Sequence, residues 1–479
     1  MLFNSIEFAI FFPVVVAIFF LSPQTWRVRW LLLSSCVFYM AFIPSYIAIL
    51  FITILIDYFA GIYIERVEGY RKKVLLYFSI VSTCAVLLTF KYLNFALSSF
   101  VGAAGLFGWH LPHTVVAVIL PIGLSFHTFQ SLSYVIEVYR GRQKAEHDFV
   151  VYATYVMFFP QLVAGPIERP QNLLHQFREW HAVNYSDIRA GLRRMAWGFF
   201  KKLVIADRLA LYVNDVYAAP RTHNGLQLSL ATVFFAYQIY CDFSGYTDIA
   251  IGAAQILGFR LMENFKTPYY SRSVSEFWRR WHISLSTWFR DYLYVPLGGS
   301  RVNQRRHTAN LLITFGISGL WHGASWTFVC WGLLNGFYLV AGASTKKWRN
   351  QLFETVGLGE QTLPRKAIML ASTFSLTCFA WILFRAQSLP DAVYIATHLW
   401  SGWKFNAIGT PYFLLRQLLV AIVSILVLES GQLFGSKIGV PSLLGKMPTA
   451  LRWSAYGAFV MIVIMFGVYR NTQFIYFQF

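Results

Sequence analysis

The apolar positions of this 479-residue chain come in long runs rather than in stripes. A membrane-crossing helix needs about 20 mostly apolar residues. Runs of that order recur near 7–22, 46–64, 74–92, 114–135, 228–258, 309–344, 366–386, 412–432 and 453–469. Shorter or more polar candidates lie near 30–43, 149–165 and 199–217. The pattern predicts an all-α, polytopic integral membrane protein with about eleven transmembrane helices. Two interruptions predict further elements. At Gln161-Leu162-Val163-Ala164-Gly165-Pro166-Ile167 an apolar run ends in Gly-Pro. Irregular backbone at membrane depth survives only when buried in protein or lining a cavity, so this reads as a re-entrant element. From 171 to 208 charges mix with aromatics: Phe177, Arg178, Trp180, Arg193, Arg194, Trp197, Phe199, Phe200, Lys201 and Lys202. That mixture suits helices lying at the cytoplasmic interface, with the basic side toward headgroups.

Composition supports this class. The chain is 57% hydrophobic and only 13% charged, about half the roughly 25% of soluble domains. The net charge of +19 could point to nucleic acid. However, the basic residues fall between apolar runs: Arg27 and Arg29, then Arg66, Arg71, Lys72 and Lys73, then Arg140, Arg142 and Lys144. They form no DNA- or RNA-reading motif, so nucleic acid is set aside in favour of positive cytoplasmic loops. Loops 23–30, 65–73 and 137–147 then lie inside and the N-terminus outside. The first run reads as a retained span, because no Lys or Arg precedes it and no small-residue cleavage site follows. No repeat or linker divides the chain, which is read as a single membrane domain over 1–479. Its core motifs lie within 121–345, with N-terminal helices in 1–120 and C-terminal helices in 366–470.

The five cysteines (Cys36, Cys84, Cys241, Cys330, Cys378) form no CxxC pair and read as buried thiols. No GxSxG elbow, Walker loop, HExxH or Cys/His cluster occurs, and no metal site is expected.

Polar groups inside a membrane are costly and usually have a partner or a task. Three places stand out. In Gly316-Ile317-Ser318-Gly319-Leu320-Trp321-His322-Gly323-Ala324-Ser325-Trp326 a histidine sits in an apolar run among small residues. Small residues allow close helix approach, and an imidazole suits proton transfer near neutral pH. The plainer reading is a histidine hydrogen-bonded between helices. The segment from Glu276 to Tyr292 reads as one amphipathic helix, with Trp278, His282 and Phe289 on one face. His282 could be catalytic, donor-binding or simply interfacial. Within 228–258, Asp242 and Asp248 stand six residues apart, near Ser244. They could pair with Arg or His of the basic region or line a polar tunnel, and Asp242 could also orient an imidazole. Around them, 260–307 holds nine Arg and Lys against three acids. It reads either as orienting charge alone or as a funnel for a phosphate-rich ligand.

These motifs resemble the membrane-bound O-acyltransferase family. The resemblance rests on Tyr237 to Asp248, Phe277 to Gly299 and Gly319-Leu320-Trp321-His322-Gly323. Pro121-Ile122-Gly123-Leu124-Ser125-Phe126-His127-Thr128-Phe129-Gln130 and Phe159-Pro160-Gln161-Leu162-Val163-Ala164-Gly165-Pro166-Ile167 are similar to its bacterial alginate O-acetylation branch. The likeness runs nearly the whole chain, from Met1-Leu2-Phe3-Asn4-Ser5 onward. It implies an acyltransferase of the bacterial inner membrane, with His322 as the catalytic residue and His282 as a second functional site. Asp242, Ser244, Trp281, Arg279, Arg280, Arg290, Asp291 and Trp321 would bind the donor or line its tunnel. It further implies acetyl-coenzyme A or another acyl thioester as donor, with no bound cofactor. Its partners would be an exported polysaccharide such as alginate, a periplasmic acetyltransferase- or esterase-like protein, and membrane lipid. Two rivals stay open: a transporter or flippase that uses Asp242 and Asp248 for coupling, and a transferase of D-alanine to teichoic acid.

Overall fold

A computed structural model describes residues 1–479 apart from 113–114, 117–120, 122, 406–407, 411–412, 439–443, 445, 470–473 and 476–479. The regular elements among the described residues are all helices, with no β-strand. Among the described residues, six helices are long and apolar enough to cross a membrane: Tyr46–Arg66, Gly69–Leu106, Trp326–Ser344, Leu363–Arg385, Leu415–Phe434 and Thr449–Phe466. The shorter helix Ile6–Leu21 is also apolar. The expected run at 228–258 forms one helix, Gly225–Ile256, which stands outside those six. Of the expected run at 114–135, residues 124–135 fall in the helix Leu124–Tyr139, while 114, 117–120 and 122 lie outside the described residues.

The outward faces carry the membrane signature. Ile10, Val14, Ile18 and Leu21 are exposed along the first helix, and Val460, Met461, Ile464 and Met465 along Thr449–Phe466. Contiguous apolar exposure of this kind is untenable in water and ordinary in lipid. This is a multi-pass membrane protein.

Contacts group the chain into two compact units, Met1–Met195 with Ile249–Glu263, and Ala196–Asp248 with Asn264–Phe479. In the first, Ser5 starts Ile6–Leu21 by accepting a hydrogen bond from the Phe8 N–H (3.2 Å). Asp148 likewise caps Phe149–Met157 through the N–H groups of Val150 and Val151. The backbone from Phe158 to Gly165 holds only a short helix, Phe159–Leu162, before turning, and all of it is buried. The apolar run thus breaks near the Gly-Pro pair, as irregular backbone buried in protein.

In the second unit the core is a continuous aromatic mass. Trp281, Trp331 and Trp381 are almost wholly buried, packed with Tyr212, Phe235, Tyr269 and Phe384. The helices Gln304–His322 and Trp326–Ser344 form an antiparallel hairpin across Gly323–Ser325. A Cβ on Gly319 would overlap the Phe328 carbonyl, and one on Gly332 the Phe315 carbonyl. Only glycine permits that approach.

Candidate active site

Every site residue expected from the sequence falls in the second unit. Asp242, Ser244 and Asp248 stand on Gly225–Ile256, and Asp242 and Ser244 are buried. Both carboxylates find cations, from a place the sequence does not suggest. Lys202 Nζ bridges Asp242 (2.7 Å) and Asp207 (2.9 Å). Lys201 pairs with Asp248 and donates to Ser244 Oγ (3.0 Å). The expected interfacial role of Lys201 and Lys202, with ammonium groups toward lipid headgroups, is therefore overturned: both lysines are buried. They sit in a π-helical segment, Phe200–Ala206, whose wide winding brings consecutive side chains nearer to one face. Asp242 also accepts from the Ile475 N–H (2.7 Å), so its oxygens serve a lysine and the backbone.

The single amphipathic helix expected over 276–292 is likewise corrected. Val274–Arg280 ends at Trp281, and a new helix, Ile283–Phe289, starts after His282. His282 adopts a left-handed conformation (φ 43°, ψ 55°). For a residue with a Cβ this costs roughly 1–2 kcal/mol. The neighbouring segment imposes it. The Lys266 N–H donates to the Arg280 carbonyl and the Ile283 N–H to the Asn264 carbonyl, both at 2.9 Å. Trp278, His282 and Phe289 are all buried, but through this hinge rather than through one helical face.

The hinge brings His282 to the end of the other histidine motif. His322 is the last residue of Gln304–His322, and the two imidazole centroids lie 6.4 Å apart. Both rings are buried, at 0% and 4% exposure for His282 and His322. Their surroundings are aromatic. Phe243 meets His282 edge-on at 4.6 Å, while Trp321, Trp331 and Phe384 stand 4.9, 5.1 and 5.4 Å from His322. Trp321 is 6.3 Å from His282, so it neighbours both rings. Trp281 faces the other way, against Phe265, Phe277 and Trp381 at 5.1 to 5.4 Å. Two imidazoles walled off from water can exchange protons with a reacting group and with little else.

The basic candidates are less uniform. Arg279 is exposed, whereas Arg280 pairs with Glu276 (2.6 Å) and Arg290 with Asp291 (2.7 Å). Sequence reasoning misses Asn264, which is fully buried and accepts through Oδ1 from the Ser284 N–H (3.2 Å) and hydroxyl (2.9 Å). It also misses Trp331, Trp381 and Phe384. Trp331 and Phe384 reach His322 from separate helices, and Trp381 stacks on Trp331 at 5.7 Å.

Comparison with known proteins identifies the family. The sequence model of the membrane-bound O-acyltransferase family matches residues 130–385. The chain is 36% identical to a probable alginate O-acetylase of Pseudomonas putida over 436 residues, which cover 89% of this chain and 86% of that one. A peptidoglycan O-acetyltransferase of Helicobacter pylori is 33% identical, covering 76% and 72% of the two chains. A teichoic acid D-alanyltransferase of Bacillus subtilis is 27% identical, covering 58% and 71%. The matched stretch holds each aromatic side chain placed around the two imidazoles, from Phe243 to Phe384, and the chain is a multi-pass membrane acyltransferase that belongs to the membrane-bound O-acyltransferase family.

Proposed function

We propose that this enzyme is an O-acetyltransferase that passes acetyl groups from cytoplasmic acetyl-coenzyme A toward an exported polysaccharide, alginate or one like it. The observation that carries this reading is the convergence of His282 and His322, from two separate motifs, within one aromatic enclosure.

His322 takes the proton of an acceptor hydroxyl, whose oxygen attacks the thioester carbonyl carbon. The new C–O bond forms, the C–S bond breaks, and the proton passes to the departing thiolate. His282 holds the acceptor or the carbonyl in register. The aromatic walls keep water from the thioester. Exposed Arg279, with Arg280 and Arg290 beside their carboxylates, attracts the donor phosphates at the cytoplasmic face. Lys201 and Lys202 neutralise Asp248 and Asp242, which argues against the coupling carboxylates that a transporter would need. The reading includes a single functional domain over 1–479 in the bacterial inner membrane, with about eleven spans supplemented by re-entrant and interfacial helices. A periplasmic acetyltransferase- or esterase-like partner completes delivery to the polysaccharide.

The test is the ester content of exported polysaccharide from cells carrying His322→Ala at matched membrane abundance. Loss of proton transfer should lower the acetate released by mild alkali about 10²-fold or more. Near-normal acetate would make His322 structural and end this reading. Release of D-alanine in place of acetate would reassign the cargo while leaving the histidines their role.

A further inference from the structure

The hinge at His282 has a feature that neither the family match nor the two histidines account for. A helix begins with N–H groups that have no partner inside it, and the residue before the first turn ordinarily satisfies one of them with its side chain. For Ile283–Phe289 that position is His282, which makes no side-chain capping bond. Its imidazole lies among Phe243, Trp321 and His322 instead. The capping is supplied from another part of the chain. The Asn264 carbonyl accepts from the Ile283 N–H (2.9 Å), and Asn264 Oδ1 accepts from the Ser284 N–H (3.2 Å) and hydroxyl (2.9 Å).

We propose that Asn264, acting with Ser284, is the positioning residue for His282: it caps the helix Ile283–Phe289 in place of His282 and so keeps that imidazole turned toward the reacting groups. This rests on the reading that His282 takes part in acyl transfer. Three facts converge on it. Asn264 and Ser284 are both fully buried, so solvent does not compete for these bonds. His282 is left-handed, a state that persists only where its surroundings over-determine it. The Lys266-to-Arg280 backbone bond fixes the preceding turn at the same time, so the hinge is held on both sides of His282.

The test uses the full chain in membranes, with acetyl-coenzyme A as the donor probe and thermal melting in detergent as the control for folding. Asn264→Ala should lower kcat about 10- to 100-fold while KM for the donor changes less than about threefold, as expected for lost orientation. Asn264→Asp keeps an acceptor for both Ser284 donors and should recover most of that rate, whereas Asn264→Leu fills the space without an acceptor and should not, a split that a merely space-filling asparagine would not show. Ser284→Ala should lower kcat in the same direction and should not add to Asn264→Ala, because both act on one hinge. If Asn264→Ala fails to accumulate, Ser284→Ala and Asn264→Asp decide alone. Full activity in Ser284→Ala together with no activity in Asn264→Asp would overturn the capping role. His282→Ala separates the two readings. If it is inactive while Asn264→Ala turns over normally, the positioning proposal falls and the site stands. If His282→Ala is itself fully active, the site assignment falls and takes the proposal with it.

Discussion

The charges that cost most to bury are the ones whose partners are hardest to foresee. Two carboxylates within an apolar run announce that cations must reach them, and Asp242 and Asp248 are legible in that sense. Lys201 and Lys202 are not. They follow Phe199-Phe200 in a stretch whose composition reads as interface, and nothing local says that π-winding turns both ammonium groups inward. Lys202 serves Asp207 and Asp242 at once, so its removal leaves two carboxylates close together without their shared cation. Breaking such a buried pair costs roughly 3–5 kcal/mol. Lys202→Met should therefore lower the melting temperature sharply, and Asp242→Asn less, since the Lys202–Asp207 contact survives it. Adding Asp242→Asn to Lys202→Met should restore part of the loss, because one uncompensated charge disappears. A Lys202→Met protein that melts like the parent would show that the pair contributes no net stability. The two histidines are legible as candidates from their motifs. Their 6.4 Å approach is not, because it depends on a backbone conformation at His282 that no residue pattern announces.

At the level of helices, apolar runs mark where elements lie better than where they end. The run at 309–344 divides into two helices at Gly323–Ser325. A signal for this is present in the small residues and in Ser325, which caps the second helix through the Thr327 N–H (3.3 Å). The break at Trp281–His282 has no such mark. Arg280-Trp281-His282-Ile283 contains neither glycine nor proline, and the cause is Asn264, which lies 20 residues before its partner Ser284. The hairpin itself makes a prediction. Gly319 lies one helical turn before His322, and a methyl group there would collide with the Phe328 backbone. Overpacking of this kind costs about 1–3 kcal/mol, and relief requires the two helices to separate beside the imidazole. Gly319→Ala and Gly332→Ala should each lower both the melting temperature and the acetylation rate. Gly342 stands on the same hairpin with nothing within 4 Å of its added Cβ, so Gly342→Ala should leave both unchanged. Equal effects at all three glycines would mean that intrinsic helix propensity, not the close crossing, decides the outcome.

Across the whole chain, sequence and structure meet in the sidedness of the loops. Positive charge places 23–30, 65–73 and 137–147 on one side of the membrane, and contacts within the first unit draw those same loops together. Glu65 accepts from the Ala145 N–H (3.0 Å), and Lys72 lies 5.5 Å from the Tyr139 ring centroid. Arg178 pairs with Glu146, and Arg27 donates to the His181 carbonyl (2.5 Å), which ties the first loop to the same end. Charge and packing thus group the same three loops. In a background with all five cysteines replaced by alanine, Thr25→Cys, Tyr70→Cys and Arg142→Cys should resist a membrane-impermeant maleimide in intact spheroplasts and react once the membrane is opened. Ser45→Cys, exposed at the far end of Tyr46–Arg66, should react before opening. Labelling of Tyr70→Cys and Arg142→Cys from opposite sides would contradict the packing, since Glu65 and Ala145 could not then touch. Labelling of all three basic-loop positions from outside would keep the packing and invert the first unit in the membrane.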